Sequence, residues 1–168
     1  MTTPVSSLFD LNERTAVVTG SSSGIGQAIA GFLAQAGVHV VLVARRQDRL
    51  DALVDSIRRD GGHAVALAGD LGEVEDISKI AVRCQEAFGA VHILVNAAGI
   101  NPRQPADDVT PQSWNQTIQL NLSTPFFFAQ ALVPGMKAAG YGRIINIASL
   151  QSVRAFPDGI AYGASKGG

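Results

Sequence analysis

Five short runs of aliphatic and β-branched residues recur along the chain, at Thr15–Thr19, Val38–Val43, Ala64–Ala68, Ile93–Asn96 and Ile144–Ala148. A strand with one wet face alternates apolar and polar residues, so runs this uniformly apolar predict strands covered on both sides. Between them lie stretches with helical spacing, Ile25–Ala36, Arg49–Asp60, Val74–Phe88 and Pro111–Ala139. The first three stop at Gly37, Gly61 and Gly89, where glycine turns the backbone left-handed without a Cβ penalty. Strands alternating with helices of this length imply right-handed crossovers and a parallel sheet with helices on both faces. The predicted fold class is α/β, doubly wound, in a single domain over 1–168.

The fourth helical stretch opens on Thr110-Pro111, a capping residue before a first-turn proline. Pro125 and Pro134 fall further along it, and each is expected to kink or break the helix, dividing it in two. Trp114 and Phe126-Phe127-Phe128 are expected as core or subunit contacts.

Composition removes several function classes. Thirteen Lys and Arg stand against 14 Asp and Glu, a net charge of −1, with no basic stripe of the kind nucleic-acid binders carry. Cys84 is the only cysteine, which excludes an internal disulfide and fits a reducing compartment. Met1–Glu13 has neither a charged start nor an apolar run, so no secretory signal is expected. Runs such as Val40–Ala44 fall far short of the roughly 20 residues a bilayer span needs. The expectation is a soluble, cytoplasmic protein with no membrane and no nucleic-acid partner. His39, His63 and His92 stand singly on or beside apolar strands, so they read as structural and no metal is expected.

The first strand runs directly into Thr19-Gly20-Ser21-Ser22-Ser23-Gly24-Ile25-Gly26, where a helix begins. Strand, glycine turn and helix in that order make a phosphate cradle credible. Gly20 permits the sharp turn, Gly24 lets backbone approach a pyrophosphate, and Gly26 lets helix and strand pack closely. Unpaired N–H groups at the helix start, with Ser22, Ser23 and Ile25 around them, then face the phosphates. This is a dinucleotide-binding, Rossmann-type arrangement, with Gly-x3-Gly-x-Gly in place of the more general spacing.

Near the end of the second strand an NAD site places a carboxylate on the ribose 2′-hydroxyl. Here that place reads Val43-Ala44-Arg45-Arg46, with no carboxylate before Asp48. A guanidinium suits a 2′-phosphate, so NADP(H) is the expected cofactor over NAD, with Arg45 the favoured contact and Arg46 beside it. A solvated arginine pair at a helix start is the competing reading.

Thirteen residues beyond Ser149 comes Tyr162-Gly163-Ala164-Ser165-Lys166. Tyr and Lys four apart on a helix share a face, and a neighbouring ammonium favours the ionised form of a phenol. Tyr162 is therefore a candidate general acid–base. Ser149 stands where the fifth run ends, at the crevice in which such folds bind ligands.

Together Gly20-x3-Gly24-x-Gly26, Asn96-Ala97-Ala98-Gly99, Asn121, Ser149 and Tyr162-x3-Lys166 resemble the motif set of the compact branch of the short-chain dehydrogenase/reductase family, over essentially the whole chain. The resemblance implies an oxidoreductase passing a hydride between NAD(P)(H) and a carbonyl or secondary alcohol. It implies that Tyr162 exchanges the proton, that Ser149 holds the same substrate oxygen, and that Lys166 assists Tyr162 and holds the nicotinamide ribose. Asn121 would position a relay water, Asp70 would contact the adenine amino group, Leu71 would line that pocket, and Asn96 to Gly99 would flank the adenosine ribose. A homotetramer or dimer is also implied. Three of these residues each have a plainer alternative: Asp70 as a turn or cap residue, Asn121 as a backbone partner at the proline-adjacent kink, and Ser149 as a partner for a strand-end carbonyl.

The sequence departs from that pattern in two places. It ends at Gly168, two residues past Lys166, whereas the family's helix continues and is followed by further strands and a substrate-covering loop. The expectation is an amino-terminal portion, inactive or weakly active alone and prone to self-association through apolar surface. Ser23 also stands where many NADP-linked relatives have a basic residue. For substrate, Leu8-Phe9-Asp10-Leu11 and Gly99-Ile100-Asn101-Pro102-Arg103 are similar to gluconate 5-dehydrogenase-like members, with Arg103 a candidate partner for a substrate carboxylate. A 3-oxoacyl-carrier-protein reductase is the nearest alternative; a nucleotide-binding fragment without catalysis, or an isomerase or dehydratase with bound cofactor, are others.

Overall fold

The structure, a computed structural model, describes residues 10–168; Leu8 and Phe9, invoked above for substrate class, lie outside the described residues. Five parallel strands form one sheet: β1 (Thr15–Thr19), β2 (His39–Ala44), β3 (Ala64–Ala68), β4 (Ile93–Asn96) and β5 (Arg143–Asn146), in the order β3-β2-β1-β4-β5. Helices α1 (Gly24–Gln35), α2 (Gln47–Arg59) and α3 (Val74–Phe88) make the crossovers. The chain then runs through α4 (Pro111–Ile118), a π turn (Gln119–Ser123), α5 (Thr124–Ala138), and, past β5, α6 (Ile160–Gly167). The doubly wound α/β architecture expected from the alternating runs is the one observed.

Burial explains the continuous apolar runs. Val17, Val18, Val40, Val41, Leu42, Val43, Leu94 and Val95 are wholly buried, shared between one core under α1 and α2 and another under α3 and α5. Each such side chain contributes about 1.5–3 kcal/mol relative to exposure. The inner face of α1 is Gly26, Ala30 and Ala34, small residues that let it lie close to β1 and β2. Gly37, Gly61 and Gly89 take positive φ of 80°, 85° and 80° after their helices, as the sequence predicts.

Two expectations need correction, and a third is met in a particular form. Next to Pro125 the helical stretch is divided into α4 and α5, by a π turn and not by a gap. Thr124 N–H bonds Gln119 O, five residues back, and this wider turn relieves the clash a proline ring makes with the carbonyl four residues earlier. Pro134 sits inside an unbroken α5; it and Gln130, whose carbonyl loses its helical partner, are both exposed, so that carbonyl is open to solvent and need not go unpaired. The fifth strand is Arg143–Asn146, not Ile144–Ala148, and all four of its residues are exposed. Among the described residues it pairs with β4, and its main contacts are with that strand and not with a helix, which leaves its side chains exposed.

Of the aromatic group, Phe128 is wholly buried, whereas Phe126 (62% exposed), Phe127 and Trp114 reach the surface. His92 accepts a hydrogen bond from Thr15 N (3.0 Å) through Nδ1, and His39 stacks against Phe88 and His63. Burial pushes the Cys84 thiol up to about 12, so it stays protonated. Among the described residues no helix is long and apolar enough to cross a membrane.

Candidate functional site

The strand order reverses between β1 and β4, and crevices at the carboxyl ends of strands form at such switch points. Here the crevice is a cleft of ≈ 550 Å³ lined by Gly20, Ser22, Ser23, Ile25 and Gly26 on one wall, Arg45 and Arg46 on a second, and Asp70, Leu71 and Ala97 to Ile100 on the others.

Its glycines are shaped by contact. A Cβ on Gly20 (φ +66°) would lie 2.8 Å from the Ala98 backbone, and one on Gly26 would lie 2.6 Å from Gly20 O. At Gly24 (φ +59°) a Cβ would meet nothing within 4 Å, so the backbone there faces open space. Ser23 precedes α1 without a side-chain cap, and the first turn carries no acidic residue. The first N–H groups of α1 therefore have no side-chain cap, and the positive end of the helix dipole lies at the glycine turn that lines the cleft.

Thr19 locks the two loops together. Its Oγ1 accepts from Ala97 N and Ala98 N (both 3.0 Å) and donates to Val95 O (3.3 Å). Sequence reading passed over Thr19, although a buried hydroxyl closing an otherwise apolar strand was the available signal. Thr124 was missed as well: it is buried and donates to Leu71 O at 2.6 Å, fixing the Asp70-Leu71 wall from α5.

Arg46, not Arg45, reaches the glycine turn. Its Nη2 donates to Ser22 Oγ and Ser23 Oγ (both 2.9 Å), and its Nε donates to Ser22 Oγ (3.3 Å). Arg45 is exposed on the same wall. Asp70 Oδ1 accepts from Gly72 N (2.9 Å), the turn role considered above, while still facing the cleft. Leu71 is 4% exposed and belongs mainly to the core. Asn96 is buried, donates to Asn146 Oδ1 across the β4–β5 pair (2.9 Å), and keeps its own Oδ1 without a partner.

A second hollow of ≈ 390 Å³ adjoins the first at Ala98 and is lined by Asn121, Ser165 and Lys166 among others. The two are not one cavity. Tyr162 and Lys166 share a face of α6, with Lys166 Nζ 5.7 Å from the Tyr162 ring centre. That Nζ donates to Ile147 O at 2.6 Å, and partial burial lowers the Lys166 pKa. Asn121, in the π turn, accepts from Ile100 N and donates to Ile100 O (both 2.8 Å).

Ser149 lies three residues beyond the end of β5 and caps a short 3-10 turn, Leu150–Ser152, with its Oγ accepting from Gln151 N at 3.1 Å. No direct hydrogen bond joins Ser149, Tyr162 and Lys166 among the described residues. Arg103 is exposed and takes no ion pair among the described residues. Its loop is nonetheless tied to the start of α6, since Gln104 N bonds Asp158 O at 3.0 Å and Gln104 pairs with Gly159.

Comparison with known proteins bears on this geometry. A family model described as short chain dehydrogenase matches residues 14–168. An NAD-dependent glycerol dehydrogenase of Listeria innocua is 35% identical over 158 residues, covering 94% of this chain and 61% of the relative. A gluconate 5-dehydrogenase from Burkholderia cenocepacia J2315, solved in complex with NADP and tartrate, superposes with TM-score 0.87 at 38% identity, over 95% of this chain and 62% of that one. A 3-oxoacyl (acyl-carrier-protein) reductase from Agrobacterium tumefaciens C58 with NADP bound gives TM-score 0.91 at 36% identity, over 98% of this chain and 63% of that one. The chain spans about half to two-thirds of the length of the curated relatives it matches. With the family match running from Arg14 to the last residue, on a sheet that carries the glycine turn and the Tyr162–Lys166 helix, the chain belongs to the short-chain dehydrogenase family.

Proposed function

We propose that this chain carries the dinucleotide site and the proton-transfer residues of an oxidoreductase acting on a carbonyl or secondary alcohol, with NADP(H) as cofactor and a sugar acid as substrate class. The observation that carries it is the cleft at the sheet's switch point. There the uncapped start of α1, through Ser22, Ser23, Ile25 and Gly26, shares one cleft with Arg45 and Arg46 at the end of β2. Those features fit a pyrophosphate on the glycine turn and a 2′-phosphate beside Arg45 and Arg46. The solved NADP-bound relatives support this choice, and the NAD-dependent relative marks its competitor.

When bound, the nicotinamide supplies or accepts the hydride. Gly20, Ser22, Ser23, Gly24, Ile25 and Gly26 hold the pyrophosphate end; Asp70, Leu71 and Asn96 to Gly99 bound the adenosine side. Tyr162 moves the proton at its phenolic oxygen to or from the substrate oxygen, and Ser149 Oγ holds that oxygen. Lys166 brings a positive charge to the Tyr162 face and to the ribose. Arg103, exposed and joined through Gln104 to the start of α6, is the residue we read as meeting a substrate carboxylate. Likeness to a 3-oxoacyl reductase favours a second reading, an acyl thioester substrate.

The test is a fluorescence titration with NADPH and with NADH, followed by addition of 5-ketogluconate or an acetoacetyl thioester while the reduced nicotinamide band is followed. Tighter NADPH binding with oxidation by 5-ketogluconate is expected. Oxidation by the thioester alone selects the second reading, tighter NADH binding overturns the cofactor assignment, and binding without oxidation leaves a nucleotide-binding unit.

A further inference from the structure

Ser165 sits between Tyr162 and Lys166 in sequence, yet its hydroxyl is bonded to neither side chain. It is 3% exposed. Its Oγ donates to the Tyr162 carbonyl one turn back (2.7 Å) and accepts from Asn121 Nδ2 (3.0 Å). A helical serine bonding the carbonyl three residues earlier is a common local arrangement. The second bond is not local: it joins α6 to the π turn across 44 residues of sequence.

The Asn121 amide has a single consistent orientation. Oδ1 accepts from Ile100 N and Nδ2 donates to Ile100 O, so a flipped amide would set oxygen against oxygen and N–H against N–H. Its remaining Nδ2 hydrogen then points to Ser165. Asn121 is 6% exposed, and among the described residues no other acceptor is bonded to that hydrogen. Gly99 keeps the approach open, since a Cβ there would stand 3.1 Å from Asn121 Oδ1. The result is a buried line of hydrogen bonds from the loop behind the nucleotide cleft, Ile100, through Asn121 and Ser165, to the backbone of Tyr162.

We propose that Ser165 is a positioning residue, whose single hydroxyl, by receiving Asn121 and gripping the Tyr162 carbonyl, sets the rotation of α6 and so the placing of Tyr162 relative to the nucleotide cleft. This rests on the oxidoreductase reading above. The Asn121–Ser165 bond is tertiary, so it constrains the rotation of α6 in a way that hydrogen bonds within the helix do not. Alanine at 165 would leave a buried amide hydrogen unpaired and free α6 to turn.

The experiment labels the whole chain with fluorotyrosine, which reports Tyr141 and Tyr162, its two tyrosines, by fluorine NMR. Ser165→Ala is expected to displace the Tyr162 signal and leave that of Tyr141. Turnover should fall about ten- to hundredfold, with NADPH affinity held within about twofold, since small misplacement of a reacting group acts on kcat. Ser165→Thr, which keeps the hydroxyl, restores both. An unmoved Tyr162 signal in Ser165→Ala overturns the proposal, as does a threonine variant that loses as much as alanine, because space and not the hydroxyl would then matter. Should the alanine variant not fold, Ser165→Cys, similar in size and weaker in hydrogen bonding, must displace the same signal or the proposal falls. A wild-type chain that binds nucleotide without turnover defeats the proposed reaction and leaves the fluorine test standing.

Discussion

Leu94 and Ile144 face each other across the β4–β5 register, yet Leu94 is wholly buried and Ile144 is 42% exposed. The contrast holds for the regions around them. From β3 to β4 the strands are wedged between helices on both faces, and the glycine turn is held by backbone contacts that burial makes rigid. From β5 to α6 few side chains are buried. Position there depends on individual polar bonds: Lys166 to Ile147 O, Asn121 to Ser165, and Ser149 to Gln151 N. Area removed from water fixes the proposed nucleotide cleft, whereas hydrogen bonds of about 0.5–1.5 kcal/mol net each fix the proposed proton-transfer residues. Apart from the Ile100–Asn121–Ser165 line that joins them, the two regions should therefore respond separately to substitution.

The sharpest break is Tyr162→Phe. Loss of one phenolic oxygen should lower kcat by about 10²–10⁴ while NADPH titration and the unfolding midpoint stay unchanged. A cost to nucleotide binding of similar size would show that the regions are not separate. In the opposite sense, Leu94→Ala should destabilise by about 2–5 kcal/mol and Ile144→Ala by less than about 1 kcal/mol, read from urea unfolding. Equal costs would mean that β5 is covered in solution. Thr19→Val sharpens the comparison further. It leaves Ala97 N and Ala98 N without their shared acceptor, costing about 1–3 kcal/mol, and should weaken nucleotide binding more than any change at Ser149.

The smallest effect concerns pH. Burial, aided by the Arg14 charge, lowers the His92 pKa below 6.5, and its Nδ1 must be unprotonated to accept from Thr15 N. Between the lowered value and 6.5 the unfolded chain binds more protons than the folded one. Stability from this residue is therefore present above 6.5 and declines as the pH falls through that window. His92→Gln, which offers an acceptor that does not titrate, should flatten this part of the profile; an unaltered slope assigns it elsewhere.

Much of the cleft could be read in advance because its logic is local. Gly20, Gly24 and Gly26 follow directly on a strand and open a helix, so spacing alone places them. Arg46 was harder to single out, since which of two adjacent guanidiniums turns toward Ser22 depends on where α2 begins relative to α1. Thr19, Thr124 and Ser165 act through partners 76–79, 53 and 44 residues away, and a single hydroxyl carries no periodic signal to announce that. β5 misled for a related reason: Ile144-Ile145 is as apolar as Val40-Val41, yet among the described residues helices pack over Val40 and Val41 and leave Ile144 and Ile145 exposed.

The order of residues by itself determined which segments are strands and helices, where each turns, and which family this chain belongs to, because hydrophobic period, glycine placement and motif spacing are properties of neighbours along the chain. The tertiary structure alone decided that Ile144 and Ile145 are exposed among the described residues, that a π turn leads into Pro125, and that Asn121 and Ser165 meet. Those outcomes depend on which surfaces come together, and long-range contacts are set by packing in three dimensions that no local pattern encodes.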